Sequence, residues 1–162
     1  MNNYYEEFNG LIQKDLNEKL IDACKDGELD KVKYLLTSPE LKIHADIHDK
    51  LDSPLNLAVF ANKIDVVKYL LTSDELKEHA NLHADGDNAF VIAAYYDHSD
   101  IVNYLIFELN IEKTDAIKKE LADTPTIEKR INKLFEIRDL KQEINIELNP
   151  KEIKNIKKPA KI

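Results

Sequence analysis

The heptapeptide VKYLLTS occurs at residues 32–38 and again at residues 67–73, 35 positions later. Aligning 20–48 with 55–83 at that offset gives 16 identities in 29 positions, where unrelated stretches of average composition would share about two. A chain that repeats itself at this interval is built from one short supersecondary unit stacked on copies of itself, because a unit so small cannot bury its apolar face alone. A third, more diverged copy follows at the same offset. Ala23, Ala58 and Ala93 align, as do Asp30, Asp65 and Asp100; Val32, Val67 and Val102; Tyr34, Tyr69 and Tyr104; and Leu35, Leu70 and Leu105.

These recurring positions suit a pair of helices. The alanine permits close helix approach, and the Val, Tyr and Leu group lines a short, well-buried helix. Asp30, Asp65 and Asp100 fall at the start of the second helix, where a carboxylate meets unpaired N–H groups and the positive end of the helix dipole. In unit two the pattern predicts a first helix over about 54–61, a turn at Asn62-Lys63, and a second helix over about 65–71 that continues through 74–79. Pro54 suits a first helical turn, where its missing N–H costs nothing. An extended loop completes each unit.

Residues 53–58 read SPLNLA, and this segment resembles the opening of the ankyrin repeat, T-P-L-H-x-A. Ser53, Pro54, Leu55, Leu57 and Ala58 match in kind, and Asn56 replaces the histidine. The equivalent stretches are NAFVIA at 88–93 and NEKLIDA at 17–23. The Gly-His turn of the family is represented by Gly27-Glu28 and Asp97-His98, and its G-A-D-V-N loop is similar to HADIH at 44–48 and HANLH at 79–83. The resemblance covers about residues 16–109 and implies an all-α helix-turn-helix repeat solenoid, with units at about 16–48, 53–83 and 88–109. Two departures stand out. The period is 35 rather than 33 because TSPELK and TSDELK lengthen the second helix or the loop after it. The finger before Ser53 is shorter than the family norm.

Repeat stacks need caps with a polar outer face. Tyr4, Phe8, Leu11 and Ile12 have helical spacing and predict an N-terminal capping helix over residues 1–15, with Asn9-Gly10 as its weak point. Residues 110–149 supply the C-terminal cap. Thr114 is placed to cap a short helix reaching Ala122, and Thr124-Pro125 opens a longer one with the apolar stripe Ile127, Ile131, Leu134 and Phe135. That second helix lies about one period after Ala89 and reads as a degenerate fourth unit. Residues 150–162 form a basic tail with the composition of a disordered segment.

Charge and composition narrow the function. The net charge is −8, yet the tail alone holds five lysines (Lys151, Lys154, Lys157, Lys158 and Lys161) against one glutamate, so the rest of the chain carries −12. An acidic body repels nucleic acid and anionic lipid and favours basic partners. The longest apolar run, Ala89–Tyr96, has eight residues, against the ~20 that a bilayer requires. The acidic start, MNNYYEEF, lacks the features of a secretory signal. With a single cysteine, a disulfide framework is ruled out and a cytoplasmic location is expected.

Nothing in the sequence points to an enzyme. His44/His48 and His79/His83 have the i, i+4 spacing of helical metal ligands, but they fall in the predicted loops and lack the accompanying glutamate. His44 and His79 stand where the family has a loop glycine and are expected to adopt its left-handed conformation. Cys24 aligns with Val59 and Ala94 and reads as a small buried residue rather than a nucleophile. The DGDN at 85–88 lacks the ordered ligand series of a calcium loop. Three glycines cannot build a phosphate-binding loop. No cofactor and no small-molecule substrate are expected.

The positions that vary between units are the informative ones for binding. The resemblance places Lys25 and Asp26, then Phe60 and Ala61, then Tyr95 and Tyr96, at the end of each first helix on the concave face. It places Asp49, Lys50 and Asp52, then Ala84, Asp85 and Asp87, in the fingers. Exposed aromatics flanked by acidic loops make a hot-spot patch with charge steering. The expected role is therefore a monomeric, non-catalytic protein-binding module that takes another protein along this face. The alternative is a tether to nucleic acid or an anionic membrane through the lysine-rich tail.

Overall fold

The computed structural model describes residues 4–148. The expectation for the tail, 150–162, lies outside the described residues. A short α1 (Tyr4–Phe8) leads into three helix pairs: α2 (Gln13–Asp26) with α3 (Leu29–Thr37), α4 (Asp49–Phe60) with α5 (Ile64–Thr72), and α6 (Ala84–Tyr95) with α7 (Ser99–Asn103). The outer helix α7 runs on into a wider π-helical turn over Tyr104–Glu108. The chain then forms α8 (Asp115–Leu121) and the long α9 (Pro125–Leu148). The layers follow from the contacts. The inner helices α2, α4, α6 and α8 pack in sequence, and α3, α5, α7 and then α9 line up behind them.

The repeated residues build the core. Ala23, Ala58 and Ala93 are fully buried between inner helices, and Leu35, Leu70 and Leu105 are fully buried beneath the outer ones. The turn between paired helices is the same device three times. Gly27, Asn62 and Asp97 all have positive φ, and the next N–H, of Glu28, Lys63 or His98, bonds back to the carbonyl of the repeat alanine. This is the Schellman closure, which satisfies a helix-end carbonyl and needs one left-handed residue.

The heptapeptide explains its own recurrence. The Lys33 ammonium lies 5.2 Å from the centre of the Tyr69 ring, and Lys68 lies 4.9 Å from that of Tyr104. Each lysine also reaches a carboxylate of the next unit, Glu75 or Glu108. Thr72 shares a 3.2 Å hydrogen bond with the Tyr104 hydroxyl. Tyr34, at the open end of this column, instead meets the rings of Tyr4 and Phe8. The N-terminal segment therefore caps the outer column. Its helix stops at Asn9–Gly10, and Ile12 is exposed rather than packed.

Four local expectations are corrected by the structure. The outer helix of unit two ends at Thr72, because Ser73 is extended and its hydroxyl accepts the Glu75 N–H; residues 74–75 are a turn and 76–79 are non-helical. Asp30, Asp65 and Asp100 lie inside their first helical turns, and the residues at the N-caps, Glu28, Lys63 and His98, make no side-chain cap bond. What remains for those aspartates is the dipole interaction. His44 and His79 are not left-handed. Each turns its ring to a carbonyl six residues back, Ser38 or Ser73. Finally, α8 stands beside α6 in the inner layer, so the inner partner of the C-terminal cap is the shorter helix and α9 is the outer one. The Thr114 hydroxyl accepts the Ile117 N–H at the start of α8, and Ile131 and Phe135 bury the stripe of α9.

Candidate functional site

The inner layer presents one face to solvent, and the repeat decides what stands on it. Lys25 and Asp26 are exposed at the end of α2. Phe60, 44% exposed, ends α4, and Tyr95 and Tyr96, 41% and 57% exposed, end α6. These helices end in tight turns, so their last residues project beyond the buried alanine row rather than into it. Phe60, Tyr96 and His98 form a contiguous surface. The Phe60 and Tyr96 rings meet edge to face at 4.9 Å, and the His98 ring stacks on Tyr96 at 5.9 Å. A His98 ring nitrogen also lies 3.1 Å from the Phe60 carbonyl oxygen, which ties unit three to unit two at this spot. The Tyr95 hydroxyl donates to the Glu120 carbonyl at 2.8 Å and so spans to α8.

The electrostatic frame of this surface is mostly acidic. Asp22 and Asp26 lie exposed on the unit-one side, and Glu120 and Asp123 on the cap side. Lys25, Lys63, Lys119 and Arg130 add positive charge, and Arg130 is committed to Asp97 and to the Ala94 carbonyl. Rings held half in solvent by ring contacts, as Phe60 and Tyr96 are, or by a hydroxyl bond, as Tyr95 is, lose little freedom when a partner covers them.

The fingers differ from expectation. Lys50, Leu51 and Asp52 are all left-handed, as are Asp85, Gly86 and Asp87. Left-handed backbone costs roughly 1–2 kcal/mol per L-residue, so something must hold these turns. The holders are Asp52 and Asp87. Both were expected on the finger surface, and both are instead buried, at 4% exposure. The Asp52 carboxylate accepts from the Asn81 backbone N–H at 2.8 Å, in the loop that closes the same unit, and from His48 Nδ1 at 2.9 Å. Asp87 pairs with His83 and accepts from the Thr114 hydroxyl. In unit one the same place is taken by Asn17, whose amide oxygen accepts from the Asp46 N–H at 2.8 Å and from the Gln13 side chain.

Asn17, Asp52 and Asp87 thus form a buried polar column that ties the start of each inner helix to the loop that follows its paired outer helix. Their role is structural, because a buried acceptor that already holds two donors has nothing to offer a partner. The sequence carried the signal. Gln13, His48 and His83, and Asn17, Asp52 and Asp87, recur at the 35-residue offset, but the identities weaken there because Asn replaces Asp. Of the remaining finger residues, Asp49 is half-buried beside the Lys50 ammonium, and Lys50 and Asp85 are exposed.

The two histidines of each pair bond different partners. His44 and His79 bond backbone carbonyls, and His48 and His83 bond the buried aspartates. Among the described residues no group of three or more His, Cys, Asp or Glu side chains is placed to hold a metal ion. Cys24 is fully buried, and burial pushes its thiol up to about 12, which suppresses the reactive thiolate. Among the described residues no helix is long and apolar enough to cross a membrane.

A family model described as ankyrin repeats, in three copies, matches residues 9–116. No curated protein and no solved structure matches the chain. Ankyrin repeats are in general protein–protein interaction modules without catalytic activity. The match spans two thirds of the chain and agrees with the stacked helix pairs, the alanine row and the Schellman turns: the chain belongs to the ankyrin-repeat family.

Proposed function

We infer that this chain binds another protein along its inner face, with Phe60, Tyr95 and Tyr96 as the apolar anchors. The observation that supports the reading is the exposure of three large rings at the ends of α4 and α6, with Phe60 and Tyr96 in edge-to-face contact across units two and three and Tyr95 bonded to the cap. An isolated exposed apolar residue is ordinary on a protein surface, but a cluster of large aromatics on one face is the composition of an interface centre. Asp26, Asp49, Lys50 and Asp85 contribute at the rim, together with Lys25. The acidic balance of the face suits a partner that offers an apolar segment with basic flanks. The partner fits an inhibitor, immunity, adaptor or effector role for this chain, which acts as a monomeric scaffold rather than an enzyme.

The test is affinity capture with mass spectrometry, comparing the wild-type chain with a Phe60→Ser/Tyr95→Ser/Tyr96→Ser variant that retains a native-like helical melt. A partner captured by the wild type and lost by the folded variant supports the assignment. A partner retained by the folded variant removes these residues from the site, and a variant that unfolds shows that the rings hold the stack together instead.

A further inference from the structure

The loops that close the units differ in length. In unit one the Ala45 N–H bonds the Leu35 carbonyl, and in unit two the Ala80 N–H bonds the Leu70 carbonyl, ten residues apart in each case. In unit three the matching bond joins the Ile111 N–H to the Leu105 carbonyl, only six residues apart. The four residues that appear as PELK at 39–42 and DELK at 74–77 therefore have no counterpart between Glu108 and Leu109.

Each of these segments covers the part of the stack that precedes it. Leu41 is buried and shares a hollow of about 200 Å³ with Phe8, Leu11 and Leu16. Leu76 packs against the core, and with Lys77 it walls a groove of about 480 Å³ over Ala45 and Ile47 of unit one. The equivalent groove over Ala80 and Leu82 of unit two has no counterpart of that wall and is about 830 Å³. Leu71, Leu82 and Leu109, all half-buried, line it. Its charge is acidic. Glu112 is exposed on its wall, and Glu108 is exposed just before the missing segment. The lining histidines are engaged, His79 with the Ser73 carbonyl and His83 with Asp87. This groove opens at the start of α6, whereas Tyr95 and Tyr96 stand at its end.

We propose that this groove docks an extended segment of a partner protein that carries one leucine-sized aliphatic side chain flanked by lysine or arginine. The chain itself shows what seats at such a boundary: Leu76 packs there one unit earlier, and Lys77 follows it. Docking of the aliphatic side chain removes Leu71, Leu82 and Leu109 from water. The flanking charge is set by an ion pair. In unit two Lys33 meets Glu75 of the DELK segment at 3.6 Å. Its equivalent, Lys68, already meets Glu108, so an acidic residue in the docked segment would face Glu108 and Glu112 with that cation taken. Basic flanks meet the same two carboxylates favourably. The surface is separate from the aromatic face and does not depend on it.

The experiment titrates the full-length, nitrogen-15-labelled chain with three synthetic peptides, acetylated and amidated at their ends. The first is TSDELKEH, the chain's own residues 72–79. The second, TSKKLKKH, keeps the leucine and reverses the acidic charges, and the third, TSKKSKKH, removes the leucine. The expected result is that TSKKLKKH shifts the amide signals of Leu82, Leu109 and Ile111 to saturation and binds at least about threefold more tightly than TSDELKEH. TSKKSKKH is expected to leave those signals in place, and Glu112→Lys is expected to narrow the gap between the two leucine peptides. Groove signals unmoved by TSKKLKKH, equal shifts with TSKKSKKH, or equal affinities for the two leucine peptides would overturn the proposal. So would shifts centred on Phe60 and Tyr96, or groove signals that change when the chain alone is diluted, which would mean that a second copy fills the groove.

Discussion

Asp52 offers the sharpest test of how the stack is held. Its carboxylate is buried and accepts two hydrogen bonds, one from the Asn81 N–H of the following loop and one from His48. Hydrogen bonds to a charged group contribute roughly 1.5–3 kcal/mol each, and an orphaned buried donor adds a penalty of its own. Because His48 is partly exposed and regains water, Asp52→Ala is expected to destabilise the protein by about 3 kcal/mol in total. Asp52→Asn keeps an acceptor for Asn81, and unit one already uses an asparagine, Asn17, at this place. It is therefore expected to cost less than about 1 kcal/mol. Urea unfolding followed by circular dichroism reads both. For a slope near 2 kcal/mol per molar, Asp52→Ala lowers the midpoint by about 1.5 M and Asp52→Asn by at most about 0.5 M. Equal midpoints for Asp52→Ala and the wild type, or equal losses for the two variants, would refute the role of the column as an acceptor of the following loop's backbone.

Leu70→Ala removes a fully buried side chain from the middle unit and is expected to cost about 2–5 kcal/mol in the same assay, with an exposed control such as Asp65→Ser within about 0.5 kcal/mol of wild type. Asn62 holds the left-handed turn position that glycine holds in unit one, so Asn62→Gly is expected to stabilise the chain by up to about 1 kcal/mol. Cys24 sets an alkaline limit. Its folded thiol is raised from 9.0 to about 12, so its contribution to stability is complete below pH 9 and is lost as the pH climbs toward 12, where the unfolded chain ionises first. Stability against pH for wild type and Cys24→Ala checks this, with a shallower alkaline decline expected in the variant.

Much of the fold was legible because the chain writes its unit more than once. Ala58, Leu70 and the turn at Asn62 are assigned by alignment with unit one alone, and their burial and backbone conformations follow from what a helix pair must do. Two kinds of information were not legible. The first concerns loops, where side-chain bonds rather than periodicity decide the path. His44 takes a carbonyl instead of a glycine-like conformation, and Asp52 turns inward to hold a left-handed turn that its own sequence disfavours. The second concerns the C-terminal cap, where α8 is too short to show a period and α9 carries the visible stripe, so the longer helix stands out although the shorter one faces α6. The aromatic residues of the inner face were legible as positions that vary between units. Their exposure was not, since Phe60 and Tyr96 could be placed on a face but not on one side or the other of a packed boundary.

Partner binding by the inner-face aromatics is read from a single equilibrium constant. The direct measurement is the dissociation constant of the captured partner for three folded proteins: the wild type, Phe60→Ser/Tyr96→Ser, and the outer-face control Asp65→Ser/Asp100→Ser. Loss of two interface-centre rings at roughly 2 kcal/mol or more in total corresponds to at least about a thirtyfold weakening. That weakening is expected for the inner-face variant, and an unchanged constant for the control. An unchanged constant for the inner-face variant, or an equal loss in both variants, would contradict it.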